Sequence, residues 1–239
     1  MTQTGLSLCR ALSTDLTALG PFFAVETHLR GAGVPPPWQP MTVLIADTDV
    51  MAARVAAVRT ALANRASRQP EDVDMRVAAS AAHLGLVARL LAPMIGAITL
   101  GCPPLSWSVD DLWWQNTLGG PYPLSVTPGS MPEDLRAGPA VEAITTTMAE
   151  RYRVSRHVLW GNIGSAANSA ARLICTARPD LTATAHATAD GLLADPRIDG
   201  GAVRAGPLFR RRSCCLIYRI ANDRGAACGD CVLRPRAAC

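Results

Sequence analysis

Four cysteines fall within eighteen positions near the C-terminal end, Cys214 and Cys215 adjacent and Cys228 and Cys231 as a C-x-x-C pair. Thiols this dense mark a metal or redox site, so any fold must bring the two pairs to one point. A C-x-x-C turn sets both its sulfurs on one side. The adjacent pair is harder, because neighbouring side chains of a regular strand point to opposite faces. A bulge or strand end is therefore expected at Ser213 to Cys215. From Arg210 to Ile220, Cys215, Ile217 and Arg219 alternate with Leu216, Tyr218 and Ile220, the pattern of a strand. Asn222 to Ala226, with Gly225, would turn that strand back toward Cys228 as a small β-hairpin.

The rest of the chain does not need these thiols to hold itself together. A body of 239 residues buries roughly 70–75% of its unfolded surface and can do without disulfides. Abundant alanine and leucine, with only 5% aromatic residues, favour a mainly α fold. Helices are expected at Thr4 to Leu19, at Asp47 to Ala66 with Asp47 or Thr48 as N-cap, and at Glu71 to Leu91. Further helices are expected at Pro139 to Arg156, Leu159 to Thr176 and Thr182 to Leu193. Gly101 to Met131, rich in proline and glycine, is expected to wrap the surface of the helical core. The division is then a helical domain over 1–203 and a metal-binding segment over 204–239. Val77 to Gly101 is apolar but interrupted by His83, Arg89 and Pro93, so a buried helix is expected there rather than a membrane span. Met1 to Leu8 has no basic region and no long apolar run follows, so the expected location is the cytoplasm, where clustered thiols stay reduced.

Three chemistries compete for the four thiols. Structural zinc usually takes two spaced C-x-x-C knuckles, and the vicinal pair fits that poorly. A thioredoxin-like dithiol would use Cys228-Gly229-Asp230-Cys231 at the start of a helix, but only eight residues follow and Pro235 interrupts them. A 2Fe–2S cluster takes four thiolates, two on each iron, and suits two close pairs. Charge alone does not choose among them. From Arg204 onward eight arginines face only Asp223 and Asp230, so the tail is strongly positive in a chain of net charge +4. Such a tail could attract nucleic acid, an anionic ligand or the cluster's own negative charge. His28, His83, His157 and His186 lack metal spacing, and the chain has no lysine for a phosphate-binding loop.

Phe209-Arg210-Arg211-Arg212-Ser213-Cys214-Cys215-Leu216-Ile217-Tyr218-Arg219, followed by Cys228-Gly229-Asp230-Cys231-Val232-Leu233-Arg234-Pro235, resembles the C-terminal signature of the FhuF-type ferric-siderophore reductases. Trp160-Gly161-Asn162, opening a helix, is similar to a second recurrent feature of that family. Two features depart from it: twelve residues rather than ten separate the cysteine pairs, and Cys239 is additional. The resemblance implies a 2Fe–2S protein that reduces siderophore-bound ferric iron to ferrous iron, with Cys214, Cys215, Cys228 and Cys231 as ligands. On this reading Arg210, Arg211 and Arg212, with Trp160 and Asn162, are the candidate substrate-side residues. The implied partners are a ferric siderophore and a separate electron donor, a ferredoxin or flavoprotein reductase, with no nucleic acid. Peripheral association with the inner face of the cell membrane stays open. The competing reading is a non-catalytic zinc- or cluster-stabilised binding module whose basic tail contacts nucleic acid.

Overall fold

The longest apolar run of the sequence becomes the centre of the fold. The computed structural model describes residues 13–29, 31, 33–102, 107–127, 137–221 and 230–232. Its helices are 13–18 (α1), Val43–Ala46 (α2), Thr48–Arg65 (α3), Met75–Thr99 (α4), Pro139–Tyr152 (α5), Arg156–Ala177 (α6), Thr182–Leu193 (α7) and Tyr218–Ala221 (α8). Helix α4 packs against α3, α5, α6 and α7, and is buried along most of its length. It is long and apolar enough to cross a membrane by length and composition, yet 72% of its most apolar window lies inside the protein. Small side chains such as Ala78, Ala79 and Ala82 let its neighbours approach closely on several sides at once.

Local chemistry starts α3 where expected and α4 four residues later than expected. Asp47 and Asp74 cap α3 and α4, each accepting a 2.8 Å hydrogen bond from the backbone N–H of Asp49 and Arg76 respectively. Within α4, Arg89 is buried and donates to the carbonyls of Tyr122 (2.8 Å), Phe22 (3.0 Å) and Ala24. A buried guanidinium is tolerated because its donors are spent on carbonyls, which also ties two loops to the central helix.

Two expectations are corrected. The segment after Gly101 does more than wrap the surface. Leu112–Trp114 (β3) and Leu124–Val126 (β4) pair antiparallel, and Glu26–Thr27 (β1) and Gln39–Pro40 (β2) complete a small sheet of order β1-β4-β3-β2. Trp114 and Tyr122 are fully buried, edge to face at 5.6 Å, with the Arg54 guanidinium over both rings. Strands of two or three residues carry too little alternation to show in sequence. Their register is set by partners far along the chain.

The second correction concerns the C-terminal hairpin. Residues 210–217 form no strand, and the chain then enters the short helix α8. Leu216 takes a left-handed φ of 70°, which breaks the extended path. Ile220, with Leu216 and Ile217 beside it, packs against Ala63, Val73 and Val77 of the α3–α4 face, and that apolar contact outweighs strand propensity. The expected turn, the return arm with Cys228, and Cys9 and Cys239 lie outside the described residues.

Candidate metal centre

The tripeptide Trp160-Gly161-Asn162 near the start of α6 is the seat of the C-terminal segment. Gly161 is there because a Cβ would lie 1.8 Å from Ser213 Oγ and 2.9 Å from an Arg211 guanidinium nitrogen. Gly164, one turn on, leaves room for Ile198, whose side chain an added Cβ would approach to 2.9 Å. The chain from Phe209 to Ser213 therefore lies directly on the helix backbone. Asp199 accepts the Arg212 backbone N–H at 2.8 Å, pinning it from the side.

Arg211 is the centre of this seat and only 1% exposed. It donates to Asn162 Oδ1 (2.9 Å), the Val158 carbonyl (3.0 Å), Ser165 Oγ (3.3 Å) and, through two nitrogens, Ser213 Oγ (3.1 and 3.3 Å). All these acceptors are neutral, and among the described residues no carboxylate forms an ion pair with it. Asp230 is reached through Ser165, whose hydroxyl donates to its carboxylate. The network continues inward. Asn162 donates to the Ser80 carbonyl (3.0 Å), and Ser80 Oγ donates to the carbonyl of Cys215 (3.1 Å).

These contacts bring three of the sequence-identified cysteines together. The Arg211 N–H bonds the Asp230 carbonyl (3.2 Å) and Arg210 donates to the Cys231 carbonyl (3.0 Å), so the end of the C-x-x-C turn is clipped beside the vicinal pair. Cys215 and Cys231 are buried, Cys214 is half-buried, and all three are free thiols. The bend after the pair lets the Leu216 N–H reach Cys214 Sγ at 3.3 Å. Burial raises the Cys214 thiol pKa, Cys215 and Cys231 add to that, and the Leu216 N–H and Arg211 oppose it. The influence of Cys215 and Cys231 on the Cys214 thiol places the three in one neighbourhood. Among the described residues no three His, Cys, Asp or Glu side chains are arranged to hold a single ion. A dinuclear cluster with two thiolates on each iron does not require such a trio. The donor set of soft sulfurs, a peptide N–H to sulfur and a buried cation fits a cluster of negative charge.

The other candidates divide. Arg210 is half-buried and Arg212 exposed, while Asn162 is wholly buried and holds Arg211 rather than facing a ligand. Trp160 lies apart from Arg211's groove. Arg197 stacks 3.9 Å over its ring and it lines a separate 410 Å³ recess with His157 and Glu142. Ser80 and Ser165 carry the network and escaped sequence reading, since a serine inside a helix has no distinguishing spacing. Asp111 completes a capping box with Ser108.

His83 belongs to the same buried network, beside Asn162 Nδ2 (3.4 Å) and Thr145 Oγ1 (3.0 Å). Burial, helped by Arg211, pushes its pKa down from 6.5 to about 3. The folded protein therefore keeps His83 neutral where the unfolded chain would protonate it. Stability from this source is complete above the unfolded pKa near 6.5 and is lost as pH falls toward 3. The expected slope of unfolding free energy approaches about 1.4 kcal/mol per pH unit between pH ~6 and ~4. His83→Gln should flatten that slope in denaturant titrations, and an unaltered slope would remove His83 as its origin.

A helical body with a gathered thiol group seated on a buried arginine has the makings of a metal or redox centre. Residues 211–233 match the family model described as the FhuF 2Fe-2S C-terminal domain, and the cofactor of this segment is a 2Fe–2S cluster. The match covers Arg211 and the four thiols, not α6 on which they sit nor the helices before it. No curated protein and no solved structure matches the chain.

Proposed function

We propose that the protein is a one-electron reductase of siderophore-bound ferric iron, with Cys214, Cys215, Cys228 and Cys231 holding the cluster. The observation that supports this best is the 2Fe-2S domain match over residues that the fold seats on α6 beside an open groove. When bound, the cluster supplies a single-electron donor. Arg211 supplies a positive charge that favours the Cys214 thiolate, and the Leu216 N–H donates to Cys214 Sγ. Cys215 and Arg211 line the groove, so a chelate bound there would touch the electron-carrying end of the protein. The substrate is iron(III) wrapped in hard oxygen donors. One added electron lowers its charge, and iron(II) prefers softer, more labile partners. No proton transfer or nucleophile is needed. On this reading the protein works in the cytoplasm and draws electrons from a separate ferredoxin or flavoprotein.

Anaerobically purified protein, reduced with dithionite and freed of excess, should be reoxidised by a ferric siderophore. One iron(II) should appear in a ferrous trap per cluster oxidised. Protein that stays reduced before several ferric siderophores, or that is colourless and holds stoichiometric zinc, would rule the activity out.

A further inference from the structure

A groove of about 730 Å³ runs along the α4–α6 junction and ends at Cys215 and Arg211. Its size lies within the roughly 300–1,000 Å³ of small-molecule sites. Gly85, Ala88 and Ala92 of α4 face Ala166 and Ala170 of α6 along it, and these short side chains leave an apolar trough. Arg65 of α3 and Arg172 of α6 line the same groove and are exposed. Among the described residues neither guanidinium has a hydrogen-bond or ion-pair partner, unlike Arg178, bound to Asp180 at 2.6 Å, and Arg197, bound to Asp195 at 2.6 Å. Among the described residues Asp230 is the one carboxylate of the lining, and it is already engaged by Ser165. Two exposed arginines without partners against one engaged aspartate, among the described residues, make the groove a site for an anion with apolar surface.

We infer that this groove is the substrate site and that it selects negatively charged ferric siderophores with α-hydroxycarboxylate, citrate-type donors. The inference rests on the reductase reading and goes beyond it by naming the substrate class. Three hydroxamates neutralise iron(III) and leave a neutral complex, which gives Arg65 and Arg172 nothing to pair with. Three catecholates give a highly charged complex, but these donors hold iron(III) hardest and oppose its reduction. Replacing some donors by α-hydroxycarboxylate leaves net negative charge with a weaker grip on iron(III). Arg65 and Arg172 would meet that charge at the rim while the alkyl spacers lie on the alanine floor.

The test uses holoprotein and gallium(III) siderophores, which keep the shape and charge of the iron complexes but accept no electron. Isothermal titration should show the gallium complex of a citrate-based dihydroxamate binding more tightly than that of a neutral trihydroxamate, with affinity falling as salt rises. Arg65→Gln with Arg172→Gln should weaken the anionic complex at least about tenfold, the loss of roughly 1.4 kcal/mol, and leave the neutral one unchanged. Ala170→Trp should abolish binding of both, with the visible spectrum of the cluster retained in every variant. Equal affinity for the two complexes, or a double variant that binds the anionic one normally, overturns the inference. Normal gallium binding in a protein that cannot reduce the ferric form leaves the site standing and rejects the reductase reading instead.

Discussion

Cys231→Ser should strip the protein of its colour. Cys231 is 1% exposed and is held beside the vicinal pair by the Arg210 guanidinium on its own carbonyl and by the Arg211 N–H on the carbonyl of Asp230. A serine fits the same space but offers a hard, protonated oxygen where the proposed iron needs a thiolate. Iron and acid-labile sulfide per chain should fall by more than about tenfold, since even groups that only orient a ligand are worth 10- to 100-fold in metal affinity. Cys214→Ser and Cys215→Ser should behave alike. Cys175→Ser is the control: that thiol lies in α6 beside His186 at 3.7 Å and should keep full cluster content. A Cys231→Ser protein with unchanged iron, sulfide and visible bands would remove this residue from the ligand set.

Gly161→Ala is expected to be damaging although alanine is the better helix former. Inside a helix that exchange normally stabilises by about 0.8–1 kcal/mol. Here the added methyl would sit 1.8 Å from Ser213 Oγ, and Ser213 cannot turn aside without losing both bonds from Arg211. Overpacking of this kind costs about 1–3 kcal/mol, and more when hydrogen bonds go with it. The segment bearing Cys214 should lift from α6, so unfolding free energy and cluster content should both drop. Arg211→Met separates seat from charge, because it keeps the volume and removes the cation. It should retain the cluster but lower its reduction potential on the order of tens of millivolts, as a positive charge stabilises the more negative reduced form. If Gly161→Ala is as stable and as well loaded as the parent, the tripeptide is not the seat. An unchanged potential in Arg211→Met would deny the guanidinium its electrostatic role.

Helix boundaries were legible wherever local chemistry sets them. Asp47 caps α3 and Pro139 opens α5 as expected, because a cap or a proline acts on donors within one turn. α4 begins at Met75, later than the expected Glu71, because Pro70–Asp72 forms a short 3₁₀ turn and Asp74 supplies the cap. The sheet was not legible, nor was the path from Arg210 to Ile220. Alternation there suggests a strand, but Ile220 finds a better apolar partner on the α3–α4 face. Among the polar candidates, the run of three arginines looks uniform in sequence. The fold sorts it into a half-buried clip at Arg210, a buried cation at Arg211 and an exposed side chain at Arg212.

By itself, the sequence determined the helical class, the caps and the thiol spacing that draws a 2Fe–2S cofactor, since each follows from residues close along the chain. Only tertiary structure decided that Gly161 is a contact surface, that Asn162 serves Arg211 and that a groove lined by Cys215 carries two arginines without partners among the described residues. Those facts depend on which helix faces meet, and that is settled by packing between segments more than a hundred residues apart, such as Ser80 and Cys215.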